Sequence, residues 1–173
     1  MISQLKQLIR DIPDFPKAGI LYRDITTLLN DAAGLKLAVE AMVEPFAAEP
    51  IDAVLGVEAR GFIFGAPMAL EMQCGFVPVR KAGKLPAEVI REDYELEYGS
   101  SSIEVHRDAV DSGSRVLLVD DVLATGGTMR ATCRLVEQLG VSIAAVCFLV
   151  ELRSLEGRAK LDGYRVESVL QYD

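Results

Sequence analysis

The chain has 173 residues, a length that favours one domain with a single sizeable core. Half of its residues are hydrophobic and a quarter are charged, which is typical of a folded, water-soluble protein and excludes disordered and low-complexity classes. The formal net charge of −8 repels polyanions, so neither nucleic acid nor an anionic membrane surface is expected as a partner.

Targeting signals and cysteine usage predict a cytoplasmic protein. The longest stretch without a charged residue, 138–150, has 13 residues, which is well short of the ~20 that span a bilayer. The first residues lack the continuous apolar core of a secretory signal. Three widely spaced cysteines fit reduced thiols better than a disulfide framework. No residues have the spacing of a structural zinc site, so no metal held directly by the chain is predicted.

The predicted elements begin with a short helix over 2–9, where apolar residues recur at helical spacing. Pro13 and Pro16 then predict an irregular connection. Asn30-Asp31 is a plausible start for a second helix, which would end before Pro50.

Four apolar runs rich in Val and Ile lack strict alternation, as expected of parallel strands that are buried on both faces. The runs are 51–57, 76–79, 115–119 and 142–150. Helical patterns lie between them at 62–73 and 129–139, the second with Gly140 as its C-cap. This alternation of strands and helices predicts an α/β fold.

Residues 80–106 interrupt the alternation with many charges and little core-forming periodicity. We expect them to form an exposed β-hairpin with a mobile tip. Insertions of this length in compact domains are commonly functional, so the segment is a candidate part of a site.

The segment 116–128, VLLVDDVLATGGT, joins a buried strand, an acidic pair and a loop of small residues, and an amphipathic helix follows it. Such a loop at a helix N-terminus offers free backbone N–H groups and the positive end of the helix dipole, which hold a phosphate monoester. The predicted phosphate-binding residues are Ala124, Thr125, Gly126, Gly127 and Thr128. The competing interpretation is an aspartate N-cap and a glycine turn without a ligand.

The acidic pair, Asp120 and Asp121, is expected at the carboxyl end of a buried strand, where open α/β sheets bind ligands. Two carboxylates there suit the vicinal hydroxyls of a sugar and a hydrated Mg²⁺. With the phosphate loop beside them, the inferred ligand is a ribose 5-phosphate.

This segment closely resembles the phosphoribosyl diphosphate signature of the type I phosphoribosyltransferases. Four further stretches resemble the members of that family that use adenine: FPKAGILYRDIT (15–26), GVEARGFIFG (56–65), VRKAGKLP (79–86) and YELEYG (94–99). The resemblance runs from about Ile12 to the C-terminus. It implies the type I phosphoribosyltransferase fold, a mostly parallel sheet flanked by helices, in a single 1–173 domain. A base-covering segment at 1–30 and a flexible β-hairpin lid at 80–106 are implied as well.

The resemblance also implies an activity in purine salvage. Adenine and 5-phosphoribosyl 1-diphosphate would give AMP and diphosphate, with Mg²⁺ carried on the substrate, in a homodimeric enzyme. Two alternatives are a transferase for another purine base and a regulator that binds phosphoribosyl ligands without turning them over. Such regulators usually add a DNA-binding segment, for which residues 1–30 are too short.

The resemblance assigns Arg60, Lys81 and Lys84 to the diphosphate. Arg60 follows a predicted strand and precedes a predicted helix, a turn from which its guanidinium can grip diphosphate oxygens. A solvated arginine and a solvated basic patch are the plain alternatives. Ala82 stands where several relatives carry a further basic residue or a proline.

The resemblance places Leu21, Tyr22 and Arg23 at the purine, which this region reads largely through main-chain groups. Tyr22 would stack on the base, where relatives commonly have Phe, and ordinary core packing is its alternative. Glu97 matches the family's Glu-Tyr-Gly and is nominated as the catalytic residue that handles the proton. On sequence alone it would be a solvated glutamate.

Overall fold

The computed structural model describes residues 1–95 and 99–173. Within them, a small antiparallel sheet pairs β1 (Arg10–Pro13) with β2 (Leu21–Asp24), and a second sheet has seven strands. The strands of the large sheet are β3 (Ala53–Val57), β4 (Gly75–Lys81), β5 (Val89–Glu95), β6 (Ser100–His106), β7 (Arg115–Leu123), β8 (Ser142–Leu152) and β9 (Val166–Tyr172). The helices are α1 (Ile2–Gln7), α2 (Thr26–Leu29), α3 (Ala32–Val43), α4 (Gly61–Glu71) and α5 (Gly127–Glu137). Short 3₁₀ segments lie at Glu44–Phe46, Arg153–Leu155 and Gly157–Leu161.

The strand order of the large sheet is β5-β6-β4-β3-β7-β8-β9. Neighbours from β4 to β9 run parallel, whereas β6 is antiparallel to both β4 and β5. The predicted α/β fold with a mostly parallel sheet is therefore confirmed.

The central strand β7 is buried on both faces. Leu117 and Val119 belong to an apolar cluster with the buried residues of α3 and α4. Val116 and Leu118 belong to a second cluster, with the buried residues of α5. This burial explains the continuous apolar run in the sequence and fixes β7 from both sides.

The start of α4 lies directly against β7 because residue 61 is glycine. A Cβ atom at Gly61 would lie 2.8 Å from the carbonyl oxygen of Val119 and 3.1 Å from Asp120 Oδ1. Only glycine allows this approach, which brings the preceding residue, Arg60, to the carboxyl end of β7.

The 80–106 segment contains a two-stranded antiparallel hairpin that continues the sheet. In the described residues, β5 and β6 pair over seven residue pairs, from Val89–His106 to Glu95–Ser100. The pairing of β6 with β4 covers two, Arg80 with Glu104 and Lys81 with Ile103.

Three local predictions are corrected by the structure. The predicted irregular connection after α1 contains the β1–β2 hairpin, whose short, charged strands carry no apolar run. The edge strand β9 was not predicted, because its sequence VESVLQY is mostly half-buried and gives no continuous apolar signal. Helix α5 ends at Glu137 with Gln138 as its C-cap, and Gly140 instead takes a left-handed turn at φ +73°.

Other predicted elements lie close to their expected positions. Asp31 caps α3 as predicted, accepting the Gly34 N–H at 2.6 Å. None of the helices in the described parts of the chain has the length and apolar character needed to cross a membrane.

Candidate active site

The acidic pair lies in a crevice beside the end of β3. Strand β7 pairs with β3 as far as Val119 and with β8 as far as Leu123. Asp120 and Asp121 therefore still belong to β7, although the predicted strand ended at residue 119. They lie beyond the last residue of β7 that pairs with β3. This arrangement opens a crevice at the carboxyl ends of parallel strands, the usual ligand site of an open α/β sheet.

Two neighbouring cavities of about 220 Å³ and about 470 Å³ open at this crevice. Both are lined by Arg60, Asp120, Asp121 and Thr128. The smaller is also lined by Ala124, Thr125, Gly126 and Gly127, and the larger by Glu58, Lys81, Tyr94 and Ser101. The structure thus brings together the predicted phosphate loop, the acidic pair and two of the three predicted diphosphate residues.

The loop between β7 and α5 presents backbone N–H groups to the smaller cavity. Gly126, at φ +77°, is the N-cap of α5, and its position requires a glycine. No side chain among the described residues caps this helix, so its first N–H groups are available to a ligand. Among the described residues outside its own helix, a Cβ atom at Gly127 would have one neighbour within 4 Å, the carbonyl oxygen of Glu95 at 4.0 Å.

The acidic pair is held largely out of water. Asp121 is 3% exposed, and Asp120 Oδ1 accepts the N–H of Asp121 at 2.8 Å. Burial raises the pKa of Asp120 well above the ordinary aspartate value, and the adjacent charge of Asp121 raises it further. Burial also raises the pKa of Asp121, against which the charge of Arg60 acts. The two carboxylates are therefore electrostatically costly to bury side by side.

Arg60 connects the acidic pair to the N-terminal segment. Its Nε lies 2.7 Å from Asp121 Oδ2, and its Nη1 donates to the Tyr22 hydroxyl at 2.9 Å. Despite the short ion pair, no donor of the described residues meets Asp121 Oδ2 in hydrogen-bond geometry. The contact with Arg60 is therefore an ion pair without a well-directed hydrogen bond. The Tyr22 ring packs edge-on against Phe15, with centroids 5.2 Å apart.

Glu58 holds the base of the hairpin in place. Its Oε2 accepts the backbone N–H of Lys81 at 2.9 Å and lies 3.2 Å from Arg80 Nε. The Lys81 hydrogen bond is the main cause of the lowered pKa of Glu58, and the Arg80 pair adds to it. Glu58 therefore fixes the backbone of a predicted diphosphate residue.

The remaining predicted residues lie outside the lining of the two cavities. Lys84 is exposed, and its carbonyl oxygen accepts from Arg80 Nη1 at 3.4 Å. Leu21 is 45% exposed. Arg23 is paired with Asp11 and lies over the ring of Tyr172. Glu97, the predicted catalytic residue, lies outside the described residues.

Four residues at the larger cavity had no predicted role: Glu58, Ala59, Tyr94 and Ser101. Glu58 and Ala59 had a usable signal, since they follow a buried strand in the same turn as Arg60. Tyr94 begins the YELEYG stretch, whereas nothing local in the sequence marks Ser101, which the β5–β6 pairing places opposite Tyr94.

Comparison of the sequence with protein families identifies the family of this chain. Residues 25–170 match the family described as "Phosphoribosyl transferase domain". The chain therefore belongs to the phosphoribosyltransferase family, as the motifs predicted.

Relatives of known name make the identification more specific. An adenine phosphoribosyltransferase of Methylococcus capsulatus is 60% identical, covering 99% of this chain and 100% of the relative. That of Nitrosococcus oceani is 55% identical with the same coverage. The crystal structure of the Thermoanaerobacter pseudethanolicus enzyme superimposes with a TM-score of 0.95 at 49% identity, covering 99% of this chain and 100% of that chain.

A yeast adenine phosphoribosyltransferase, crystallised with an imino-altritol bisphosphate and adenine, matches with a TM-score of 0.92 at 40% identity and 98% coverage of each chain. These similarities extend over nearly the whole chain. This chain is a pentosyl-transferring enzyme of purine salvage that converts adenine and 5-phosphoribosyl 1-diphosphate to AMP and diphosphate. The predicted activity holds over both alternatives, another purine base and a non-catalytic regulator.

Because the acidic pair is costly to bury, we expect Asp120→Asn to raise the stability of the protein and to lower its activity. In Asp120→Asn the amide oxygen keeps the acceptor for the Asp121 N–H, but the buried charge is lost. Because the folded-state pKa is raised, ionisation of Asp120 destabilises the folded state as pH rises above the unfolded value of ~3.9. We expect a higher melting temperature than wild type at pH 7.5 and a smaller difference near pH 4.

In Asp120→Asn, kcat/KM should be about ten- to a hundredfold lower than in wild type, since a hydrogen bond to a charged group contributes ~1.5–3 kcal/mol. Thermal denaturation at the two pH values and steady-state kinetics measure both effects. Asp108→Asn, at an exposed position between β6 and β7, is the matched control and should change neither. Unchanged kcat/KM in Asp120→Asn would show that the pair is structural.

Proposed function

We propose that the crevice at the end of β7 is the catalytic centre and that each part of the substrate is bound by a different segment. The main support for this proposal is that the two cavities share a wall. Four residues line both cavities: Arg60, Asp120, Asp121 and Thr128. The loop of residues 124–128 binds the 5-phosphate through backbone N–H groups and threonine hydroxyls. The two carboxylates accept hydrogen bonds from the ribose hydroxyls.

The chemistry explains why these parts are needed. The anomeric carbon loses diphosphate through a transition state with oxocarbenium character, so the enzyme holds the ribose, neutralises the leaving group and excludes water. Arg60 and Lys81 lie at the larger cavity and are assigned to the diphosphate. Lys84 is exposed, three residues after Lys81, and is assigned to the diphosphate when the hairpin closes.

The N-terminal segment is proposed to cover the base. Tyr22 supplies an aromatic face, and its hydroxyl contacts Arg60, so the base site and the diphosphate site share one side chain. Leu21 and Arg23 flank it and contribute main-chain groups to the purine edge. The Arg23 side chain is already engaged by Asp11 and Tyr172, which agrees with a main-chain role.

Mg²⁺ is proposed to arrive with the substrate. In the described residues, no three His, Cys, Asp or Glu side chains gather into a metal site. The two carboxylates at the wall of the larger cavity suit the water shell of a hydrated ion better than a direct ligand set. The ion would neutralise diphosphate charge, while Asp120 and Asp121 orient the sugar.

The hairpin over 80–106 is proposed to be a lid. Its strand β5 contacts α5 through Glu92, which lies 2.7 Å from Arg134 Nε and accepts from Gln138 Nε2 at 3.4 Å. Partly exposed ion pairs of this kind contribute about 0–1 kcal/mol, so this contact alone would not prevent opening. Opening would have to overcome the burial of Ile90, Ile103 and Val105 in the second apolar cluster. Closure would bring Lys84 toward the diphosphate, beside Lys81, which already lines the larger cavity.

The homodimer is a proposal supported by exposed apolar side chains on α4. Leu70 is 81% exposed and Ile63 is 38% exposed. Residues seven apart lie on the same helix face, so the two form one apolar surface, which association with a second copy would bury.

The cytoplasm is the proposed compartment. The three cysteines, Cys74, Cys133 and Cys147, are free in the structure, as expected in a reducing environment. Burial raises the pKa of Cys133 to about 12, which keeps this thiol protonated and unreactive.

Base selectivity tests the function directly. With Mg²⁺ and 5-phosphoribosyl 1-diphosphate, kcat/KM for adenine should exceed that for hypoxanthine, guanine and xanthine by at least about a hundredfold, since a site that hydrogen-bonds one purine edge leaves polar groups unpaired with another. Comparable turnover of hypoxanthine or guanine would contradict adenine as the specific base.

Gly127→Val tests the phosphate loop. Among the described residues outside its own helix, the Glu95 carbonyl oxygen at 4.0 Å is the only atom within 4 Å of a Cβ atom at Gly127, so the fold should tolerate valine, whose side chain takes up space beside the smaller cavity. Calorimetric titration should show AMP affinity reduced at least about tenfold, because the phosphate can no longer approach the backbone. Gly75→Val, at a strand start where a Cβ atom has no neighbour within 4 Å, is the control. Unchanged AMP affinity would remove the phosphate from this loop.

Glu97→Gln tests the proposed general acid/base. Attack by N9 of adenine requires a ring proton to be lost or relocated, and glutamine keeps the size of glutamate but cannot take up a proton. We expect kcat to fall on the order of 10²-fold, with little change in the KM for phosphoribosyl diphosphate. A kcat within about threefold of wild type, with chemistry shown to be rate-limiting, would assign Glu97 to the solvated surface instead.

A further inference from the structure

The phosphate loop rests on the backbone of a distant segment. A Cβ atom at Gly126 would overlap the carbonyl oxygen of Gly157 and lie 3.1 Å from its carbonyl carbon. Conversely, a Cβ atom at Gly157 would overlap the carbonyl oxygen of Ala124 and lie 3.0 Å from Gly126 N. The two backbones are thus in direct contact, with a glycine on each side.

The two glycines are needed for different reasons. Gly126 has a left-handed φ of +77°, which disfavours any other residue. Gly157 is outside that region of backbone space, since the left-handed glycines of the described chain do not include it. It is buried, and the space against Ala124 alone excludes a side chain.

An ion pair with a buried carboxylate holds the Gly157 segment in place. Arg158 Nε lies 2.9 Å from Glu151 Oε1, and its Nη2 lies 2.6 Å from Oε2. Glu151 is 4% exposed and also accepts from Ser168 Oγ at 2.5 Å. Arg158 Nη1 donates to the carbonyl oxygen of Val166 at 2.9 Å, so the guanidinium joins the segment to β8 and β9. A two-pronged contact of this kind fixes orientation as well as distance.

The same ion pair stands next to the end of β7. Glu151 on β8 pairs in register with Leu123, the last residue of β7 before the phosphate loop. The loop therefore leaves a strand whose neighbour carries Glu151, and it rests on the residue next to Arg158. The strand that carries Glu151 therefore positions the start of the loop. Arg158, the partner of Glu151, lies next to Gly157, on which the loop rests.

We propose that Gly157 is a positioning residue for the 5-phosphate loop and that the Glu151–Arg158 pair holds it there. The proposal rests on the phosphate role of residues 124–128 proposed above. Backbone N–H groups bind phosphate only when they point at it together, and a loop of small residues has little of its own to keep that orientation. A displacement of about 1 Å can cost up to about a hundredfold in activity.

Gly157→Ala tests the contact. The added methyl group should push Ala124 away, and we expect it to raise both the Kd for AMP and the KM for phosphoribosyl diphosphate at least about tenfold, with the KM for adenine within about twofold. Gly75→Ala, whose Cβ atom has no neighbour within 4 Å, should leave all three constants unchanged. A Gly157→Ala enzyme with a lowered melting temperature but wild-type values of all three constants would overturn the proposal.

The ion pair supplies a second variant in case Gly157→Ala does not fold. Arg158→Lys keeps the charge but loses the fork, and Arg158→Gln loses both. We expect the KM for phosphoribosyl diphosphate to rise in the glutamine variant and to be partly restored in the lysine variant. Wild-type KM in both would contradict the positioning role.

The Gly127→Val variant distinguishes an error in the phosphate assignment from an error in the positioning role of Gly157. If it leaves AMP affinity unchanged, the phosphate assignment itself is wrong. If it weakens AMP binding while Gly157→Ala and the Arg158 variants do not, the phosphate assignment stands and the positioning role of Gly157 is wrong.

Discussion

The burial of two adjacent carboxylates beside one arginine is the constraint on which the site depends. Asp121 is 3% exposed and Asp120 is half-buried, at the end of a strand whose preceding residues are packed on both faces. Arg60 is 2.7 Å from the second carboxylate, and Gly61 permits that approach by letting α4 begin against β7. Burying two adjacent carboxylates is electrostatically costly, and a ligand that donates hydrogen bonds to them lowers that cost.

Under the proposed assignment, Arg60 makes base and diphosphate recognition interdependent. Its guanidinium contacts Asp121 on one side and the Tyr22 hydroxyl on the other, so a change at either contact alters the position of the same group. A phenylalanine at position 22 would lack the hydroxyl. In this chain the aromatic residue proposed to stack on adenine has a second task, which is to orient a cation beside the sugar.

Local sequence predicted the centre of the site but not what surrounds it. The strand, acidic pair, glycine loop and helix of 116–128 are contiguous, so each residue type could be interpreted from its neighbours. Gly157 and Glu58 act through contacts with backbone from other segments, and no periodicity reports such contacts. The half-buried edge strand β9 gave no apolar run for the same reason: its environment is set by tertiary packing. The role of Glu97 remains a prediction from the motif.

The hairpin is joined to the sheet far more narrowly than its own strands are joined to each other. Seven residue pairs hold β5 to β6, whereas two, at Arg80 and Lys81, hold β6 to β4 in the described residues. Bending at this narrow junction would leave the pairing within the hairpin intact, but it would lift Ile90, Ile103 and Val105 out of the second apolar cluster. Lys81 belongs to this junction, but its backbone is held by Glu58, which lies in the turn between β3 and α4 and not in the hairpin. The lysine assigned to the leaving group would therefore keep its place whatever the position of the hairpin.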